Sequence, residues 1–103
     1  MSDIMPDTSN KAIGRRLAAV REVKGWTQVF MAELIGASPQ RWGNYERGHN
    51  APPPDTLARI WQLTGATSDY VLFGRMDGLP LELAQALQAR SEKVDAGLGT
   101  KAG

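Results

Sequence analysis

Between Thr27 and Gly48 two stretches of helix length, 28–35 and 39–47, are parted only by Gly36, Ala37 and Ser38. No other feature limits the fold as tightly. Thr27 can cap the first stretch, and Ser38-Pro39 can open the second. A hydroxyl at the cap satisfies an unpaired N–H, and proline lacks the N–H that the first helical position leaves unpaired anyway. Gly36 permits the positive φ that a sharp turn demands, and Gly48 is a helix stop. The spacing predicts two short helices joined by a tight turn.

The rest of the chain is punctuated the same way. From 10 to 24, Ile13, Leu17, Ala18 and Val20 recur at spacings of three and four, which predicts an amphipathic helix. Thr8, Ser9 or Asn10 can cap it and Gly25 can stop it. Trp26 and Met31 are spaced to form a hydrophobic staple across Thr27. The run 49–54 holds three prolines and reads as an extended connector. A fourth helix, 55–64, carries Leu57, Ile60 and Trp61 as its apolar stripe and stops at Gly65. Thr67 or Ser68 opens a short fifth helix, 70–73, ended by Gly74, and a sixth, 80–92, shows Leu83, Ala84 and Leu87 on one side. No strand or repeat is legible. The predicted architecture is all-α. Five short helices form a compact bundle over 10–75, a C-terminal helix lies within 76–94, and flexible segments flank them at 1–9 and 95–103.

Composition narrows the chemistry. At 103 residues the chain can form one small domain with a modest core, burying roughly 60–70% of its unfolded surface. Without cysteine there is no disulfide or thiolate metal site, and the single His49 has no partner with which to hold zinc. No catalytic constellation, Gly-rich phosphate loop or useful carboxylate pair is present, so the chain reads as no enzyme, with no cofactor and no small-molecule substrate. No apolar run approaches the roughly 20 residues of a membrane helix, and the polar, acidic start is unlike a signal peptide. The expected location is the cytoplasm. Net charge is only +1, but residues 11–24 set Lys11, Arg15, Arg16, Arg21 and Lys24 against Glu22, a local +4. Such a helix suits a polyanion, but five cations on one helix are also common on a plain solvated face, and the charge alone is a weak signal.

On a 3.6-residue period Gln40 and Asn44 share one face of the 39–47 helix, with Arg41 and Gly43 beside them, while Trp42 and Tyr45 point the other way. Arginine pairs with guanine O6 and N7, and Gln or Asn with adenine N6 and N7. The stretch Gly25-Trp26-Thr27-Gln28, then Ala32, Gly36, Ser38 and Tyr45-Glu46-Arg47-Gly48, resembles the Cro/repressor-type (XRE-like) helix-turn-helix family. Arg21, Leu57 and the closing Asp69-Tyr70-Val71-Leu72 extend the match over 13–74. The resemblance implies a lambda-repressor-like DNA-binding domain, with the second helix of the pair in the major groove. It assigns base contacts to Pro39, Gln40, Arg41 and Asn44. Phosphate contacts fall to Thr27, Gln28, Arg47, His49 and Asn50, and Arg21 with Glu46 forms a structural ion pair.

Two places depart from the family pattern. Trp42 stands where a medium aliphatic residue is usual, and is expected in the core. Gly43 beside it either lets the backbone approach DNA closely or is simply an imperfect helix residue. Val29 and Phe30 replace polar residues at outward positions, and such a pair invites cover from the sixth helix or a second subunit. The Leu79–Leu87 region either makes a dimer contact or folds onto its own domain. The expected function is a sequence-specific DNA-binding transcriptional regulator, a repressor-type protein acting on double-stranded DNA as a two-fold homodimer. The alternative is a protein-interaction module, antitoxin-like or adaptor, on the same fold.

Overall fold

The computed structural model describes the backbone of residues 5–101 and the side chains of residues 5–94. Six α-helices follow one another: α1 (Asn10–Val23), α2 (Gln28–Ile35), α3 (Pro39–Arg47), α4 (Pro54–Thr64), α5 (Ser68–Phe73) and α6 (Leu81–Lys101). No described residue is in a strand, as the all-α reading expects. Four starts are capped by a hydroxyl. Ser9, Thr27, Ser38 and Thr67 each accept a backbone N–H three residues on, at 3.0–3.1 Å. Gly36 turns α2 into α3 with φ +73°, and Gly48 ends α3 with φ +82°.

Helix α1 is the centre of the bundle, packing on α3, α5 and α6, while α2 lies against α3 and α4. Its Ile13, Leu17 and Val20 meet Met31, Trp42, Ile60 and Val71 in one buried cluster, which Leu83 and Leu87 of α6 complete. The stripe on α6 is thus spent within its own domain. Leu83 and Leu87 are not free for a second subunit. An Arg90–Glu22 ion pair, with Nε donating to Oε1 at 2.9 Å, clasps α6 to α1 on the surface.

Several sequence expectations change. Trp61 does not join the inner stripe of α4 but is 54% exposed. Ile60 and Thr64 hold that side instead, and the Thr64 hydroxyl donates to the Ile60 carbonyl and accepts from the Ala66 N–H. Trp26 meets Phe30 edge-on, with ring centroids 5.6 Å apart, and so gives Phe30 part of the cover it lacks. Helix α6 packs on α1, while Val29 and Phe30 remain exposed. The helix runs to Lys101, past the expected end near 92, because glycines such as Gly97 and Gly99 weaken a helix without forbidding it. Of the expected flexible ends, residues 1–4 and 102–103 lie outside the described residues. The three arginines of α1 have partners within the domain, while Lys11 and Lys24 are exposed. Arg16 donates to the carbonyls of Val71 and Asp7, Arg15 lies 3.8 Å from Asp7, and Arg21 pairs with Glu46.

Glu46 gathers three helices. Arg21 of α1 donates to it from Nε at 2.6 Å and from Nη2 at 3.2 Å, Gln28 of α2 from Nε2 at 2.8 Å, and Trp42 of α3 from its indole N–H. The Glu46 side chain is only 7% exposed and that of Arg21 14%. Hydrogen bonding to Glu46 holds the Arg21 guanidinium above its ordinary pKa, outweighing the burial that pulls it down. Arg21 also donates to the Trp26 carbonyl, pinning the turn into α2. Beside this cluster Gly14 lets α1 touch α3, since a Cβ there would sit 2.3 Å from the Glu46 carbonyl oxygen and 2.6 Å from that of Tyr45.

Two variants test these contacts by thermal or urea unfolding. Glu46→Ala strands a buried guanidinium and lowers stability by about 3–5 kcal/mol. An unchanged melting temperature would show that the pair contributes nothing. Gly14→Ala should lower stability by about 1–3 kcal/mol through overpacking, although helix propensity alone predicts a gain of about 1 kcal/mol. A stabilised Gly14→Ala protein would contradict the close approach of α1 and α3.

Candidate nucleic-acid interface

The two sides of α3 have different chemistry. Inward, Trp42 and Tyr45 are buried and meet edge-on, with centroids 6.0 Å apart and planes 88° to each other. The sequence placed Trp42 in the core but gave no sign that its indole N–H would reach Glu46, one turn on. That bond satisfies the polar atom which burial of a tryptophan otherwise strands. Outward, Pro39, Gln40 and Arg41 are exposed along the first turn, and Asn44 lies half-buried one turn further. The Arg41 guanidinium has no ion-pair or hydrogen-bond partner among the described residues.

The expected phosphate-contacting residues are placed less uniformly. Thr27 spends its hydroxyl capping α2, and Gln28, in the first turn, turns its Nε2 toward Glu46. The Gln28 side chain is therefore held in place by the protein rather than loose in solvent. Neither α2 nor α3 has an acidic residue in its first turn. Arg47 folds back so that Nη2 donates to Asn44 Oδ1 at 2.8 Å. His49 donates its backbone N–H to the Asn44 carbonyl at 2.9 Å, and with Asn50 it lies exposed in the loop after α3.

Two further residues shape this surface without a sequence signal of their own. Gly14 sets the depth at which α3 sits on α1. Arg16, one of the cations that could be taken for a polyanion contact, instead ties α1 to the end of α5. Among the described residues no group of three or more His, Asp or Glu is placed to hold a metal ion. None of the helices is long and apolar enough to cross a membrane.

Comparison with known proteins identifies the family. A helix-turn-helix domain profile matches residues 12–71. Over 61 residues the chain is 36% identical to the SPbeta prophage-derived uncharacterized HTH-type transcriptional regulator YonR of Bacillus subtilis, an overlap of 59% of this chain and 56% of YonR. The HTH-type transcriptional regulator ImmR of the same organism is 34% identical over 61 residues, 59% of this chain and 48% of ImmR. The chain spans about half the length of the curated relatives it matches. Among solved structures, the clp gene regulator ClgR of Corynebacterium glutamicum superposes with a TM-score of 0.56 at 26% identity, covering 85% of each chain. The profile match takes in the whole two-helix motif and the helices that brace it, and the chain belongs to the helix-turn-helix domain family.

Proposed function

We propose that this protein is a sequence-specific DNA-binding transcriptional regulator that lays α3 in a major groove and acts as a two-fold dimer on a palindromic operator. One observation carries the reading. The inner side of α3 is locked by Trp42, Tyr45 and Glu46, while Pro39, Gln40, Arg41 and Asn44 stand together on the side that the core leaves free. Rigid presentation matters because polar side chains read bases only when the helix bearing them cannot tilt or slide. The names of YonR, ImmR and ClgR, all regulators, support the same function. Gln40 and Arg41 are the base-reading residues of the first turn, with Pro39 close to the groove. The N-termini of α2 and α3, with Thr27 and Gln28, serve phosphate, as do His49 and Asn50, whereas Arg47 is turned back onto Asn44. A single short helix buries little surface, so two copies on half-sites about 34 Å apart supply the affinity. Leu83 and Leu87 are already buried and so do not make the dimer contact.

A second reading, a protein-interaction module on the same scaffold, is favoured by the outward Val29, 60% exposed, beside the partly covered Phe30. DNA binding separates the two. Affinity for random duplex should fall log-linearly with salt, by about 0.9 in the exponent per neutralised phosphate. The absence of any complex at low salt, with random duplex and with the gene's own upstream region, would favour the interaction module. Selection from a random pool should return a two-fold symmetric consensus. Arg41→Ala should weaken binding to that consensus by about 1–3 kcal/mol and relax one base position, with an unchanged melting temperature. Equal binding of the variant and the parent protein would remove Arg41 from the interface.

A further inference from the structure

Gly43 is out of place by every local criterion. It occupies the middle of a nine-residue helix, where glycine costs about 1 kcal/mol relative to alanine. Its φ is not positive, so its backbone does not require glycine. No backbone of a neighbouring helix presses on it, unlike Gly14. The nearest atoms that a Cβ at this position would meet belong to the guanidinium of Arg47, at 3.0 Å from Nη1, 3.3 Å from Nη2 and 3.5 Å from Cζ. Gly43 is nonetheless buried while Arg47 is exposed, so the arginine lies across the strip of helix that the missing side chain leaves bare. From there Nη2 donates to Asn44 Oδ1 at 2.8 Å.

Building on the reading of α3 as the groove helix, we propose that Arg47 is a positioning residue for Asn44 and that Gly43 provides the space in which it does so. A free carboxamide has two nearly equivalent orientations, differing in which end donates and which accepts. A base edge distinguishes them, because the hydrogen-bond pattern in the groove is what identifies the base. A cationic donor at 2.8 Å fixes the oxygen end, since a flip would bring the amide N–H2 against the guanidinium N–H. The Nδ2 end is left as a donor of defined direction, which fits an acceptor on a base edge, such as purine N7. Asn44 therefore meets DNA already oriented, and the ordering of a flexible side chain is done before binding. Arg47 acts on specificity through Asn44 rather than by touching the base.

The test compares the full chain with Asn44→Ala, Arg47→Ala and Gly43→Ala. Each is put through selection from a random duplex pool, titration against single-base variants of the consensus, and thermal melting. The position that goes flat in Asn44→Ala is the one Asn44 reads. Arg47→Ala should lower discrimination at that position about 10-fold and leave the positions read by Gln40 and Arg41 sharp. Gly43→Ala should do the same by displacing the guanidinium, while raising the melting temperature by about 4 °C. Specificity and stability would then move in opposite directions, which a merely structural glycine does not produce. A uniform loss of affinity in Arg47→Ala, with the salt slope reduced by about 1, would make Arg47 a phosphate contact and overturn the inference. Undiminished preference at the Asn44 position in either variant would overturn it too, as would an Asn44→Ala protein with no flattened position. If the folded parent protein enriches no sequence, the reading of α3 itself falls, and the inference with it.

Discussion

The corner made by α1, α2 and α3 closes on one carboxylate. Glu46 receives Arg21, Gln28 and the Trp42 indole, so a single buried acceptor links all three helices. A buried charge is tolerable only when its partners are close and its lone pairs are used, and here they are. The arrangement sets the angle of α3 more strictly than apolar packing alone can, because apolar contacts tolerate sliding and a hydrogen-bonded ion pair does not. It also explains how a tryptophan fits where an aliphatic residue is the family habit. The indole brings its own donor to the Glu46 carboxylate.

Two glycines on neighbouring helices show how differently the same residue can be used. Gly14 is needed because two backbones meet, with the Glu46 and Tyr45 carbonyls standing where a Cβ would go. At Gly43 the nearest neighbours of a Cβ would be the guanidinium atoms of Arg47 rather than a backbone. The first sets the depth of α3 on the body, and the second leaves room on its outer surface. Together they place the outward residues of α3 at a defined height and keep one strip of the helix flat.

Charge and apolar surface are redistributed by the fold in ways that composition hides. Helix α1 carries a run of cations, yet Arg15, Arg16 and Arg21 all find partners within the domain. Arg41 on α3, where local sequence charge is unremarkable, has no side-chain partner among the described residues. Conversely, α6 has the look of an interface helix, but Leu83 and Leu87 complete the core under α1. The apolar groups that do remain outside are scattered, with Val29 and Phe30 on α2, Trp61 on α4, Phe73 on α5, and Leu81 and Val94 on α6.

The helices and their turns were legible because their signals are local. Ser38-Pro39, Gly36 and Gly48 act through φ and through the hydrogen bonds of the next three residues, and these are set by sequence neighbours. The outward face of α3 was legible for the same reason, since helical period alone puts Gln40 and Asn44 together. Partners distant in the chain were a different matter. The pairing of Arg21 with Glu46 was suggested by family likeness, whereas the convergence of Gln28 and Trp42 on the same carboxylate had no trace in spacing. Trp61 was misplaced because a period assigns a stripe but not its edges, and only the packing of Ile60 and Thr64 decided which edge faces inward. The sequence by itself determined where helices start and stop and which side of each is polar. The tertiary structure decided which polar groups are consumed within the domain and which remain free, because that depends on distances between residues far apart along the chain.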